Sequence, residues 1–266
     1  MPLAVCATPI GNLEDVTLRV LAELGAADVV LCEDTRHTRI LLARHGIERP
    51  LVSYHEHNEA ARTAELLPRL EAGERVALVS DAGMPGINDP GSRIVVAALE
   101  AGLPVTVLPG PSAVETALVA SGLLGERYQF LGFLPRKPGE LSALWKELEQ
   151  WPWPTVAFES PQRLPASLAA LAVLSPSREV AVCRELTKRF EEVVRGPAAE
   201  IALHFAEPPK GEITLVVGAA RREPDERPAL AAVAELVAEG VPRRRAAEIV
   251  AALTGVAKNR LYRGSL

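Results

Sequence analysis

Short apolar runs alternate with stretches of helical periodicity through the first half of this chain, the rhythm of βα units. Runs at 3–8, 28–33, 51–54, 75–80 and 105–108 predict strands. Between them, apolar residues three or four positions apart predict helices over 15–25, 36–45, 58–72 and 92–101. Another helix follows Pro109-Gly-Pro-Ser112 and ends near Ser121, and 128–133 reads as a strand. The second half uses the same alphabet in a different order. It has expected strands at 155–158, 179–184 and 212–217 and helices at 138–150, 164–174 and 197–205. Residues 191–195 can pair with 179–184 as a hairpin, which implies a mixed second sheet.

Residues 221–228 are charged and proline-bearing, a linker composition. Beyond them Leu230, Val233, Leu236 and Val237 mark one amphipathic helix, Ala246, Ile249, Val250 and Leu253 a second, and 254–262 the start of a third. The expected organisation is an α/β chain: an N-terminal α/β domain over 1–110, a second over 111–220, a linker at 221–228 and a helical module over 229–266.

The densest signal lies at 75–91. Arg75-Val-Ala-Leu-Val-Ser80 runs into Asp81-Ala-Gly-Met-Pro-Gly-Ile-Asn-Asp-Pro-Gly91, with three glycines and two prolines within eleven residues. Such a segment bends sharply and lets its backbone approach a ligand. A helical pattern resumes near Ser92, so the loop stands at the carboxyl end of a strand, where open α/β sheets bind ligands. A plain connection is the competing reading; the loop's length and its Asp81 and Asp89 favour a site. No G-x-x-x-x-G-K-[ST] occurs, no proper G-x-G-x-x-G follows the first strand, and no basic residue enters before Arg93. The loop therefore suits a neutral or cationic small molecule better than a nucleoside triphosphate.

Length and charge narrow the class. The 266 residues suffice for one large or two ordinary domains. With 48% hydrophobic and 24% charged residues a soluble globular chain is expected, and no apolar stretch approaches the roughly 18 residues of a membrane span. The chain enters its first strand without a basic region and cleavage site, so a cytoplasmic location is expected. Cys6, Cys32 and Cys183 form no C-x-x-C and read as buried apolar residues of a reduced protein. A net charge of −5 argues against indiscriminate nucleic-acid binding. Charge is uneven, however. Residues 241–266 carry Arg243, Arg244, Arg245, Lys258, Arg260 and Arg263 against Glu248 alone, so this tail is +5 and the remainder −10.

Ten strings then occur in order. They are Thr8-Pro-Ile-Gly-Asn12, Glu33-Asp-Thr-Arg36, His55-Glu56 with Asn58-Glu59, Ser80-Asp-Ala-Gly83, Asp89-Pro-Gly91, Pro109-Gly-Pro-Ser-Ala113, Gly132-Phe-Leu-Pro135, Glu159-Ser-Pro161 with Arg163, Arg184-Glu-Leu-Thr-Lys188 with Phe190-Glu191, and Lys210-Gly-Glu212. Together, over nearly the whole chain, they resemble the bacterial 16S rRNA (cytidine-2′-O)-methyltransferase family of the tetrapyrrole-methylase superfamily. Met84 stands where that pattern has Thr, and Gln162 where it has His, so Gln162 cannot serve as a titrating base.

The resemblance implies a fold of two α/β domains of the class III methyltransferase type, with S-adenosylmethionine (SAM) between them and a small C-terminal helical module. It implies 2′-O-methylation of a cytidine, cytidine-1402, in the 16S rRNA of the small ribosomal subunit. It also implies a homodimer and no metal. Ser80, Asp81 and Gly83 match the loop that lies along SAM, with Ser112 and Ala113 at a helix start after the Pro-Gly-Pro turn. Glu159, Ser160, Gly211 and Glu212 match the opposite wall. N-capping by Ser112 is compatible with that role.

A ribose hydroxyl is a poor nucleophile, so a group must take its proton or stabilise the alkoxide. Glu33, Asp34 and Lys188 are the candidates, with Arg36 beside them. A structural Asp34–Arg36 ion pair is the alternative for Asp34, and Lys188, Arg189 and Arg184 can instead hold RNA phosphate. Asn12 faces the substrate or closes an Asx turn. His55-x-His57 lacks a completing carboxylate or Cys, so no metal is expected. Arg243–Arg245, Lys258 and Arg260 either form a solvated face or, given the implied substrate, contact RNA phosphate. A corrin or porphyrin precursor methylase and a non-catalytic SAM-binding module are the rival functions.

Overall fold

The computed structural model describes residues 2–220 and 226–264, which form two five-stranded sheets with their covering helices and a trio of C-terminal helices. In the first half β1 (Leu3–Cys6), α1 (Leu18–Ala26), β2 (Val29–Cys32), α2 (Thr35–Arg44), β3 (Leu51–Ser53), α3 (Glu59–Glu71), β4 (Val76–Leu78), α4 (Ser92–Glu100) and β5 (Val105–Leu108) alternate. Their sheet is parallel throughout, in the order β3-β2-β4-β1-β5.

Successive strand residues point to opposite faces, and here both faces are covered, which is why β1, β2 and β4 are apolar at every position. Leu3, Val5, Leu31 and Leu78 pack with Leu66 and Leu70 of α3 and Ile94 of α4. Ala4, Cys6, Val30 and Ala77 pack with Val20 and Leu24 of α1 and Leu42 of α2. Each fully buried Leu or Ile contributes about 1.5–3 kcal/mol.

The second half comprises α5 (Ala113–Ser121), β6 (Gln129–Phe133), α6 (Pro138–Leu148), β7 (Thr155–Glu159), α7 (Leu164–Leu174), β8 (Glu179–Arg184), β9 (Glu192–Pro197), α8 (Ala198–His204) and β10 (Ile213–Val217). Its sheet order is β6-β7-β10-β8-β9. Only β6 and β7 run parallel, and β8–β9 is the hairpin expected from the sequence. α5 lies on this sheet: Val114, Ala117 and Leu118 pack with Val156, Ala181, Cys183 and Val216. Ile10, from the loop after β1, joins the same cluster.

Both sheets belong to one compact unit, and residues 150–152 with the C-terminal helices form a second. In the latter, α9 (Glu226–Ala238), α10 (Arg243–Thr254) and α11 (Lys258–Gly264) enclose Val233, Ala246, Ala247, Val250 and Leu261. Of the linker expected at 221–228, positions 221–225 lie outside the described residues. Positions 226–228 are the first turn of α9 rather than linker. Proline is tolerated there because the first turn's N–H groups have no helical acceptor.

All three cysteines are buried and free. Burial, with a smaller push from Glu23, drives the Cys6 thiol up to about 12. Burial likewise drives Cys183 up to about 12, and it raises Cys32.

Candidate functional site

The loop after β4 is tied to the loop after β1. The backbones of Thr8 and Gly83 exchange hydrogen bonds of 2.8 and 3.1 Å, and the Thr8 hydroxyl donates to the Ser80 carbonyl at 3.0 Å. The Ser80 hydroxyl in turn donates to the Gly83 carbonyl at 3.2 Å. Gly83 holds φ +81°, the left-handed region that glycine enters without strain. These four hydrogen bonds arch the Asp81–Gly83 backbone over the carboxyl ends of β1 and β4.

That arch forms one wall of a cavity of about 520 Å³, within the range that encloses a cofactor-sized molecule. Asp81, Gly83, Ser112, Ala113, Glu159, Ser160 and Gly211 all line it, bringing most of the sequence-expected cofactor residues together. An aromatic wall was not anticipated. Phe130, Phe133 and Phe158 line the cavity, with ring centroids 5.0 Å apart for Phe130–Phe158 and 5.6 Å for Phe133–Phe158. The chain has only five Phe, so three at one site is the signal that could have disclosed it.

Two expected cofactor residues serve the protein first. Glu159 is buried, accepting from Ser167 Oγ at 2.5 Å and Ser160 N at 2.6 Å and pairing with Arg163. Ser112 makes no side-chain cap on α5; its hydroxyl donates to Glu115, which also accepts from Tyr128 at 2.6 Å. The capping expected of Ser112 is thus absent, because Glu115 one turn on competes for the hydroxyl.

Acidic groups cluster at the strand ends. Burial first, then repulsion from Glu33, raises the Asp89 carboxyl to about 6. Partial burial of its carboxyl and the Asp81 charge raise Glu33, although the residue as a whole is exposed. Asp34 goes the other way. Arg36 binds it with Nη2–Oδ2 at 2.7 Å and Nε–Oδ1 at 3.1 Å, while the Arg36 N–H reaches Oδ1 at 2.8 Å, so the acid lies well below its usual range. Asp34 is therefore the N-cap of α2 and an ion-pair partner, and Glu33, Asp34 and Arg36 line neither this cavity nor the smaller one beside it.

The smaller cavity, about 140 Å³, shares Ile10, Asp81, Ala82 and Glu212 with the larger. Lys188 lines it, clasped by Glu185 Oε1 at 3.0 Å and Glu212 Oε2 at 2.9 Å. Burial works against the ammonium charge, yet the two carboxylates outweigh it and hold the Lys188 pKa above its usual range. Glu185 also accepts the Glu212 N–H at 3.0 Å. The clasp depends on Gly211, at φ +96°, where a Cβ would stand 2.4 Å from Glu185 Cγ. Glu185 and Thr187 themselves adopt φ +52° and +64°, and Thr187 Oγ1 accepts from the Asn12 N–H at 3.0 Å.

The Asn12 side chain closes an Asx turn onto the Glu14 N–H at 3.1 Å. Arg184 pairs with Glu192 at 2.9 Å, and Arg189 stacks its guanidinium 5.5 Å over the exposed Phe190 ring. His55 and His57 meet edge to face at 6.0 Å, and no group of three potential metal ligands occurs among the described residues.

In the helical unit, Arg243, Arg244 and Arg245 occupy the first turn of α10, where cations oppose the helix dipole. Glu248 offsets part of this, accepting from Lys258 at 2.6 Å and lying 3.5 Å from Arg245.

The family model for Tetrapyrrole (Corrin/Porphyrin) Methylases matches residues 2–202. Ribosomal RNA small subunit methyltransferase I of Mesorhizobium japonicum is 45% identical over 264 residues, 98% of this chain and 90% of that protein. The protein of the same name from Thermotoga maritima is 44% identical over 216 residues, 81% of this chain and 97% of its own length. Among solved structures, uroporphyrin-III C-methyl transferase from Thermus thermophilus, complexed with S-adenyl homocysteine, superposes with TM-score 0.59. It is 18% identical and covers 83% of this chain and 98% of that one.

Proposed function

Because this chain belongs to the tetrapyrrole (corrin/porphyrin) methylase family, we propose that it is a SAM-dependent methyltransferase acting on small-subunit ribosomal RNA, at a cytidine 2′-hydroxyl. The observation that carries the reading is 45% identity, across 98% of the chain, to a ribosomal RNA small subunit methyltransferase. The likeness to the tetrapyrrole enzyme concerns the fold alone.

The large cavity has the chemistry that SAM requires. Its Phe130–Phe133–Phe158 wall offers aromatic faces to an adenine, the Asp81–Gly83 arch offers backbone at close range, and Asp81 offers negative charge to a sulfonium. Bound there, SAM supplies an already activated methyl group, so positioning carries much of the rate. Ser112 and Ala113 border the same space from the start of α5, and Ser160 and Gly211 from the second sheet.

Lys188 stays cationic and stabilises the developing alkoxide electrostatically rather than accepting its proton. Asp34, engaged by Arg36, is a poor base. Asp81 and Glu212 are the carboxylates that border both cavities; Glu212 pairs with Lys188 through Oε2 alone, so its other oxygen is the one we assign to receive the hydroxyl proton. Arg189, at the tip of the Glu185–Phe190 loop, extends toward RNA phosphate.

The helical unit supplies further RNA contact. Three arginines in a helix's first turn weaken the helix, yet they add to the positive dipole end that attracts phosphate. Homodimerisation through the exposed edge strand β5, where Val107 is 54% exposed, and a cytoplasmic location complete the reading.

The test is transfer of labelled methyl from SAM to small ribosomal subunits lacking the modification, with the product nucleotide mapped. A 2′-O-methylcytidine is the expected product; transfer to a porphyrin precursor instead would overturn the reading.

A further inference from the structure

We infer that the 140 Å³ cavity beside the cofactor cleft is a pocket for the target nucleobase, which enters it flipped out of the RNA. The inference rests on the functional reading above. The two cavities are neighbours that share Ile10, Asp81, Ala82 and Glu212 in their linings. A nucleotide whose base fills the small cavity therefore sets its ribose at the shared lining, beside the cofactor space. A 2′-hydroxyl inside an RNA strand is accessible to a buried methyl donor only if the nucleotide leaves its stack, and such enzymes hold the extruded base in a closely fitting pocket.

The lining has the composition of a base pocket. Pro9, Leu13 and Leu41 supply apolar walls, and Leu41 is 5% exposed. Polar groups stand at the edge: His37 Nδ1 lies 3.8 Å from Asp81 Oδ1, and Lys188 is held at the other side by its two glutamates. A carboxylate accepts from the exocyclic amino group of cytosine. Asp81 Oδ1 is itself fixed by the Asp34 N–H at 3.1 Å, so that acceptor is pre-positioned. At about 30 Å³ per water, the volume holds four or five waters, room for a single nucleobase without its sugar. His37, absent from the sequence-expected site, becomes a specificity residue; its side chain is 53% exposed, so it is free of core packing.

His37→Trp fills the small cavity. His37 itself does not line the large one, and the residues the Trp meets there that also line the large cavity are Ile10, Asp81, Ala82 and Glu212, so the cofactor-product Kd is measured alongside. The variant should leave the Kd for S-adenosylhomocysteine within about twofold of wild type and lower kcat/KM on unmodified small subunits about 100-fold. Wild type should prefer subunits carrying cytidine at the target over those reconstituted with uridine there by about tenfold or more. His37→Ala should narrow that preference while retaining turnover. An active wild type with an equally active His37→Trp rejects the base pocket alone. A wild type that transfers nothing to the subunit rejects the functional reading, and the pocket with it.

Discussion

Replacing Gly211 by Ala tests the Glu185 clasp in the most direct way. The backbone there has φ +96°, which costs a non-glycine residue about 1–2 kcal/mol. The new Cβ would lie 2.4 Å from Glu185 Cγ and 2.5 Å from Cδ, so the glutamate must withdraw. Its 3.0 Å bonds to the Glu212 N–H and to Lys188 Nζ would then break. Bonds to charged groups contribute about 1.5–3 kcal/mol each when buried; at this partly solvated site about 1 kcal/mol each is reasonable. The sum is about 3–4 kcal/mol, or a Tm lower by about 10 °C for a unit of this size.

Urea unfolding should show that loss, and methyl transfer should fall together with it because Lys188 is released. Gly25→Ala is the control. It sits in α1 with nothing within 4 Å of the added carbon, and should stabilise by about 0.5–1 kcal/mol. A Gly211→Ala protein within about 0.5 kcal/mol of wild type, and equally active, would refute the clasp.

Asp89 provides a pH signature. Between its unperturbed 3.8 and about 6, the folded chain holds a proton that the unfolded chain has released, so stability from this group declines as pH rises through 6. The full shift corresponds to about 3 kcal/mol, which partial exposure reduces to about 1. Asp89→Asn should thus be more stable than wild type at pH 8 and equal to it below pH 4 in urea unfolding; a gain independent of pH would contradict the burial argument. Replacing Arg243, Arg244 and Arg245 by Ala should raise KM for the small subunit about tenfold and flatten its salt dependence by about two in log–log slope. The helix itself should be no less stable, since cations leave its N-terminal end. Unchanged salt dependence would remove the module from RNA contact.

The strands of the first sheet were legible because every position of β1, β2 and β4 meets a helix on one face or the other, leaving unbroken apolar runs. The Asp81–Gly91 loop was legible from its glycines. The Asp34–Arg36 pair and the Asn12 turn were each visible as one of two readings, since a short polar side chain at a helix start serves the backbone as readily as a ligand. The Lys188 clasp was not legible. Glu185 adopts φ +52° and reaches Glu212 across 27 positions, and nothing local announces either fact. His37 was hidden for a similar reason: it faces a cavity whose other walls come from the loops after β1 and β4 and from Lys188.

Depth rather than chemistry guards the thiols of this chain. Cys6 sits on the interior strand β1 of the first sheet and Cys183 on the interior strand β8 of the second, each protonated far beyond neutral pH. An alkylating reagent finds no thiolate until a sheet comes apart. The two residues consequently act as built-in clocks set in the two sheets of one compact unit, both timing its dismantling.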